Sequence, residues 1–164
     1  TGVQTCALPI SEEGLRLPFD YTLQVPQSEF YGDDDRQASL HIVGEAVNRA
    51  QIAELHFAVS GRVETVCDRC LDPISRAFEY RYTHTLVKES PNGPDEDIIV
   101  DGDAVHLDQV AITDLRLDFP LKFLCREDCK GLCPLCGANL NQGDCGCDKR
   151  QIDPRLEALK ELLQ

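Results

Sequence analysis

The sequence is poor in basic residues and lacks both Met and Trp. It has 164 residues, and its 16 Lys and Arg are outnumbered by 29 Asp and Glu, which gives a net charge of −13. So large a negative charge argues against a protein that coats nucleic acid or an anionic membrane through bulk electrostatic attraction. The length, with 42% hydrophobic residues, suits one domain with a modest core.

Long apolar runs are also missing. No run approaches the roughly 18 residues that a membrane-spanning helix needs, and no basic-then-apolar leader opens the sequence. We therefore expect a soluble, cytoplasmic protein. The sequence predicts no enzyme, because it contains no Ser/His/Asp order, phosphate-binding loop or spaced carboxylate pair. The scattered histidines are not expected to be ligands; they are His41, His56, His84 and His106.

Cysteine, by contrast, is abundant. Of the nine cysteines, Cys6 stands alone in an uncharged stretch, and the other eight form four close pairs. Four thiolates bind one structural Zn²⁺ as a tetrahedron, so eight predict one or two zinc ions. A disulfide framework is disfavoured by the expected reducing compartment. The pairs are Cys67 and Cys70, Cys125 and Cys129, Cys133 and Cys136, and Cys145 and Cys147.

The third and fourth pairs lie on turns shaped for metal binding. Pro134 and Gly137 complete the Cys-Pro-x-Cys-Gly knuckle around the third pair, and Gly146 separates the two cysteines of the fourth. Glycine adopts the backbone conformations that let both sulfurs of a tight turn face one centre. Because every proposed ligand is a thiolate, neither site keeps an open position for water, and the zinc is expected to be structural.

Spacing leaves the grouping of the pairs open. The last two pairs can close one site locally, which leaves the first pair to meet the second across a 54-residue gap. Closing that gap costs roughly 3.5 kcal/mol plus a constant, which a structural zinc contribution on the order of 10–16 kcal/mol offsets. The alternative is a site made of Cys67, Cys70, Cys133 and Cys136, with the other cysteines peripheral.

Hydrophobic alternation predicts an α+β fold built on an antiparallel sheet. A zinc-tipped hairpin, one or two short helices and a C-terminal zinc-knuckle segment at 125–147 complete the expectation. Asp108 is predicted to cap a helix that Pro120 ends, and Asp153 with Pro154 to open another, after a loop at 89–97. The predicted strands are 15–25, 40–47, 52–66, 74–87, 98–100 and 105–107.

A candidate surface for RNA or a partner lies on the predicted hairpin. Its arginines alternate with Phe78, Tyr80 and Tyr82, and such side chains on a sheet can stack on bases. The competing interpretation makes the aromatics core residues and pairs the arginines with nearby acids. Segment 125–150 is no basic patch, because its basic and acidic residues balance. The candidate surface residues are Arg62, Arg69, Arg76, Arg81 and Lys88.

Four features of the sequence carry a family resemblance: Cys67-Asp-Arg-Cys-Leu, the 107–120 helix, the Gly-Leu-Cys-Pro-x-Cys-Gly-x-Asn-Leu-Asn string and the Asp153-Pro-Arg-Leu-Glu-Ala-Leu ending. In these features the sequence resembles the bacterial YceD family. The resemblance implies a non-enzymatic factor for large-subunit ribosomal RNA accumulation or ribosome assembly. It also favours joining Cys67 and Cys70 to Cys125 and Cys129. Residues 12–164 would form a single YceD-like domain, and residues 1–11 an extraneous or disordered extension.

Two alternatives to that function stay open at this point. One is a zinc-stabilised protein-interaction module that acts on ribosome assembly indirectly, and the other is a thiol redox sensor. The expected partner is large-subunit rRNA or a ribosomal or assembly protein. A basic protein partner suits the net charge of −13 at least as well as RNA does.

Overall fold

The chain folds into two compact units. The computed structural model describes residues 5–7, 14, 16–32, 35–49, 52–87, 97–99 and 104–147. The sheet unit comprises the described residues of Thr1–Glu64 and Ser75–Leu121, and the cysteine unit those of Thr65–Ile74 and Lys122–Gln164. Lys88, most of the predicted 89–97 loop and the predicted helix from Asp153 lie outside the described residues.

A five-stranded sheet forms the main architecture. Its strand order is β2-β3-β4-β5-β6, in which β3 pairs antiparallel with β2 and β4, and the short β6 pairs parallel with β5. A separate antiparallel pair joins β1 to β7. Within the described residues, this mostly antiparallel sheet with one α-helix confirms the α+β prediction. The strands are β1 Thr5–Ala7, β2 Arg16–Pro26, β3 Gln37–Arg49, β4 Ile52–Val66, β5 Pro73–Val87, β6 Asp97–Ile99 and β7 Ala104–His106.

Alternating burial explains why these segments form strands. In β4 every second residue from Ala53 to Val59 is buried, while the residues between them are half-buried. The register sets Ile42 of β3 opposite Val59, and both side chains are almost fully buried. Because side chains of a strand alternate between its faces, one sheet face carries the apolar core of this unit.

Helix α1, Leu107–Asp118, differs from the prediction at its start. Asp108 is not the N-cap: the helix follows β7 directly, His106 takes the cap position, and no side chain caps the helix. Asp108 instead lies in the first turn and accepts a 2.7 Å hydrogen bond from the Tyr21 hydroxyl. The carboxylate still sits where the helix dipole favours negative charge. Phe119 is extended, as expected for a residue before proline.

The aromatic residues of β5 are half-buried and pack against other rings of the sheet unit. The ring of Phe119 lies 5.1 Å from that of Phe78, 5.2 Å from that of Phe30 and 6.2 Å from that of Tyr80, measured between centroids. Aromatic rings at such separations add attraction beyond the area they bury.

Among the described residues, no helix is long and apolar enough to cross a membrane.

Candidate metal centres

Four cysteines from distant parts of the sequence meet in the first cluster, which consists of Cys67, Cys70, Cys125 and Cys129. Their sulfur atoms all lie within 4.8 Å of one another. The Sγ atoms of Cys67 and Cys129 are 3.7 Å apart, and those of Cys70 and Cys125 are 3.6 Å apart. A disulfide needs about 2.05 Å, whereas two thiolates on one tetrahedral zinc, at about 2.3 Å from the metal, lie about 3.8 Å apart. The geometry therefore fits a four-thiolate metal site.

The turn between β4 and β5 aims the first two of these sulfurs. The amide of Leu71 donates to the Cys67 carbonyl at 2.9 Å, and the Cys67 amide donates to the Asp72 carbonyl at 2.8 Å. Leu71 has a φ of 61°, a left-handed conformation that non-glycine residues adopt rarely. The backbone thus closes on itself, and Cys67 and Cys70 are both almost fully buried.

Hydrogen bonds hold the later cysteine pair against this turn. Asp68 and Phe123 exchange two of them: the Asp68 amide donates to the Phe123 carbonyl at 2.9 Å, and the Phe123 amide donates to the Asp68 carboxylate at 2.6 Å. The Arg69 guanidinium donates to the Cys129 carbonyl at 2.9 Å. These contacts join segments that are separated by 54 residues in the sequence. They therefore offset part of the entropy cost of bringing the two cysteine pairs together.

The second cluster closes locally, from Cys133, Cys136, Cys145 and Cys147, whose sulfurs also lie within 4.8 Å of one another. The Gly137 amide donates to the Cys133 carbonyl at 2.9 Å, and Gly137 has a φ of 74°. Cys133 is buried, whereas Cys136 is exposed. The structure thus groups the eight cysteines as 67/70/125/129 and 133/136/145/147, and the alternative grouping of Cys67 and Cys70 with Cys133 and Cys136 is wrong.

The pKa is lowered for Cys67 and Cys129 in the first cluster and for Cys133 in the second, which favours the thiolate form of these groups. Burial opposes ionisation of Cys67, but the backbone amides of Cys125, Arg69 and Cys70 outweigh it and lower the Cys67 pKa to about 6. The backbone amides of Cys136 and Leu135 lower the pKa of Cys133 to about 6 in the same way. Protein groups thus favour a thiolate in both clusters.

Other thiols of the two clusters resist ionisation. Side-chain bonds with Cys136 and Cys145 are the main cause that raises the pKa of Cys147 to about 12. The Asp72 amide favours the Cys70 thiolate, but burial and the contacts with Cys67, Asp72 and Cys125 raise the Cys70 pKa. Several thiolates in one small volume repel each other unless a cation offsets their charge. A soft divalent cation fits such a donor set.

The structure separates the residues of the predicted RNA or partner surface. Arg81 lies between Tyr80 and Tyr82 in β5, so its exposed side chain points to the face opposite the two aromatic rings. It pairs with Glu79 at 2.8 Å, and Arg62 donates to the Ser75 hydroxyl at 3.2 Å. Arg76, by contrast, has the same strand parity as Phe78 and Tyr80. The arginines of β5 are therefore divided between the two faces, and a binding role for these arginines stays a prediction.

Three polar residues that the spacing does not single out lie beside the first cluster. Asn141 donates to the Cys129 sulfur at 3.3 Å, and Asn139 donates to the carboxylate of Asp72 at 3.0 and 3.2 Å. Asp72 in turn accepts from the Cys70 thiol at 3.2 Å. The Asn-Leu-Asn string next to the knuckle was the available signal, but sequence alone does not connect it to the more distant cluster.

These features define a class of protein with a mostly antiparallel sheet and two four-cysteine clusters in a separate unit. Residues 55–163 match the family model described as large ribosomal RNA subunit accumulation protein YceD, and the chain belongs to this family. The family resemblance is thereby confirmed.

Several bacterial proteins are similar in sequence to this chain. Uncharacterized proteins of Mycobacterium tuberculosis and Mycobacterium bovis are each 33% identical over 103 residues, which cover 59% of this chain and 49% of theirs. The match thus spans about half the length of the mycobacterial relatives. The uncharacterized protein YlbN of Bacillus subtilis is 26% identical over 153 residues, 89% of this chain and 87% of its own. No solved structure matches the chain.

Proposed function

We propose that each cluster binds one structural Zn²⁺, which gives two zinc ions per chain. The observation that carries this proposal is the 3.6–3.7 Å spacing between sulfurs of the first cluster, which fits tetrahedral thiolate coordination. Four thiolates fill the coordination sphere of each ion and leave no position for a reactive water. The zinc therefore holds loops together and takes no part in chemistry.

Metal stoichiometry tests the zinc proposal. Elemental analysis of the purified chain should give about two zinc ions per protein, and the Cys67→Ser/Cys70→Ser and Cys145→Ser/Cys147→Ser proteins should each keep one. A wild-type value near zero would refute the proposal. Mild oxidant should leave zinc and thiols in place, whereas zinc loss with disulfide formation would favour the redox-sensor alternative.

We further propose that the protein is a non-enzymatic cytoplasmic factor that supports accumulation of large-subunit ribosomal RNA. The match of residues 55–163 to a family described by that role carries the proposal. Deleting the gene in its host should lower large-subunit rRNA relative to small-subunit rRNA, and the wild-type gene should restore the ratio. An unchanged ratio in the deletion strain would contradict the proposed role.

A basic protein of the large subunit is the partner we favour over direct contact with RNA. The net charge of −13 repels a phosphate backbone and attracts a basic protein. The packing of Phe78 and Tyr80 against Phe119 also leaves these rings poorly placed to stack on bases.

Parallel titrations separate the two kinds of partner. We expect saturable, salt-sensitive binding to a basic large-subunit ribosomal protein and none to a large-subunit rRNA fragment at moderate salt. Saturable binding to the rRNA fragment, weakened by replacing Arg62, Arg76 and Arg81 with Ala, would favour direct RNA contact instead.

A further inference from the structure

The loop between the two cysteine pairs of the second cluster contacts the first cluster. This loop, residues 138–144, starts after Cys136 and ends before Cys145, so the second cluster fixes both of its ends. Holding both ends narrows the positions that a residue in the middle of the loop can take. Contacts from the loop to the first cluster are therefore strengthened by the second cluster.

Asn141 makes the most direct of these contacts. Its side-chain amide donates to the Sγ of Cys129 at 3.3 Å, while its Oδ1 accepts from the Lys130 backbone amide at 2.8 Å. An N–H donor to a ligating thiolate offsets part of the negative charge that four thiolates bring to a zinc site. Asn141 therefore stabilises the ligand form of Cys129.

Asn139 contacts the turn that carries the other ligand pair of the first cluster. Its side-chain amide donates to both carboxylate oxygens of Asp72, at 3.0 and 3.2 Å, and Asp72 belongs to the turn that carries Cys67 and Cys70. Its Oδ1 accepts from the Asn141 backbone amide at 3.0 Å. The two asparagines are thus linked to each other, and each touches a different ligand pair of the first cluster.

Backbone contacts fix the loop in this position. Leu132 and Asn139 form a β-bridge, and the Leu140 amide donates to the Gly131 carbonyl at 2.9 Å. The Leu132 amide donates to the Arg69 carbonyl at 3.0 Å. The loop, the knuckle and the 67–72 turn therefore form one hydrogen-bonded network within the cysteine unit.

We infer that Asn139 and Asn141 are positioning residues for the first metal centre, and that through them an intact second cluster raises the metal affinity of the first. This inference rests on the zinc binding proposed above. It makes the two sites a coupled pair, in which loading of one site strengthens the other by the same factor.

Asn141→Asp tests the donor role of Asn141 in the full chain. Aspartate keeps an oxygen that accepts from the Lys130 amide, but it replaces the donor to Cys129 with a negative oxygen. With Co²⁺ or Zn²⁺ as the probe and a competing chelator, we expect one of the two metal affinities to fall about 10- to 100-fold. The thiolate-to-cobalt absorption band of that site should shift. The matched control is Gln142→Ala, because Gln142 is an exposed residue of the same loop and its replacement should change neither affinity.

Cluster-specific backgrounds test the coupling. In Cys67→Ser/Cys70→Ser protein, Asn141→Asp should leave the affinity of the remaining site unchanged. In Cys145→Ser/Cys147→Ser protein, the first site should already be weakened, and adding Asn141→Asp should cost less than it does in the intact chain.

Three results would overturn the inference. They are an unchanged affinity in Asn141→Asp, a loss at the second site that persists in Cys67→Ser/Cys70→Ser protein, and strict additivity with the loss of the second cluster. Wild-type protein that binds no metal would instead refute the zinc proposal together with the inference. The two failures are therefore distinguishable.

Discussion

The two units of the molecule are held together in different ways. In the sheet unit, the fully buried side chains are mainly aliphatic, such as Leu40, Leu55 and Leu115. In the described part of the cysteine unit, Phe123 is buried, and a buried cluster consists of three thiols, Cys67, Cys70 and Cys129. The partly buried apolar side chains packed against that cluster are Ile74, Leu124 and Leu132.

This difference shows what each unit requires in order to fold. Burial of apolar area supplies about 25 cal/mol per Å², and long strands give the sheet unit a continuous apolar face. Residues 122–147 form turns and one isolated bridge, so they have little comparable face to bury. The cysteine unit is then expected to depend on metal, as small metal-bound domains do.

Removing the metal should have the largest effect on stability, and it should affect the cysteine unit but not the sheet unit. A structural zinc contributes on the order of 10–16 kcal/mol of apparent binding energy, comparable to the whole stability of a domain at about 5–15 kcal/mol. With excess chelator we expect the amides of 122–147 to lose protection from hydrogen exchange, while those of β3 and β4 keep it. Added Zn²⁺ should restore protection. Full protection of residues 122–147 in metal-free protein would show that the cysteine unit does not depend on metal for its fold.

Leu55→Ala is the corresponding test of the sheet unit. Truncation of this fully buried side chain should lower the free energy of unfolding by about 2–5 kcal/mol, measured by denaturant titration, without changing zinc stoichiometry. Leu117→Ala is the control, since Leu117 is 79% exposed and its loss should change stability by about 0.5 kcal/mol or less. Zinc loss in Leu55→Ala would argue against independent stabilisation of the units.

Local patterns predicted much of this structure. Strict alternation gave β4 with its observed bounds, because one buried face imposes a period of two. The close pairs and the Cys-Pro-x-Cys-Gly knuckle predicted the eight ligand candidates, because two thiolates on a tight turn reach a common centre with little further ordering. The spacing argument alone left two groupings open, and the structure selects one of them.

Features that depend on tertiary contacts could not be predicted from the sequence. Asp108 has the chemistry of an N-cap, but the helix begins two residues earlier than a cap at Asp108 requires, and Tyr21 donates a hydrogen bond to the carboxylate instead. The contact from Asn141 to Cys129 forms only when the loop after the knuckle lies next to the first cluster. No periodic pattern in the sequence indicates that arrangement. The aromatics of β5 alternate along the strand in the same way whether they pack in the core or stack on a bound ligand. The sequence pattern therefore does not decide between these two roles.

Two glycines of the cysteine unit allow a matched test of how tightly its loops pack. Gly131 and Gly137 both have a φ of 74°, so alanine costs about 1–2 kcal/mol of backbone strain at either position. A Cβ at Gly131 would also lie 2.9 Å from the Arg69 carbonyl oxygen, whereas one at Gly137 meets nothing within 4 Å. Gly131→Ala should therefore speed zinc release to a chelator several-fold more than Gly137→Ala. Equal rates of zinc release from the two variants would show that the 67–72 turn moves away from the added Cβ at little cost in free energy.

The smallest expected effect concerns a partly buried carboxylate of the sheet unit. His84 and Asp114 meet at 2.6 Å between β5 and α1, and the Asp114 side chain is only 14% exposed. Burial raises the Asp114 pKa, although the contact with His84 opposes the shift, and nearby Asp118 adds to it. The folded protein thus keeps this proton to a higher pH than the unfolded chain does.

The sign of the resulting pH dependence follows from linkage. The contribution of Asp114 is fully present below the ordinary carboxyl pKa of about 4 and is lost as the pH rises through the raised value. Asp114→Asn stays neutral and still offers an oxygen to His84, so its stability relative to wild type should increase across that interval. Urea titrations in steps from pH 4 to 7 measure this difference. Asp20→Asn is the control, since the His41–Asp20 contact is also short, at 2.7 Å, but exposed and weakened by solvent. A difference between Asp114→Asn and wild type that stays constant with pH would show that the carboxylate is as well solvated by its protein neighbours as by water.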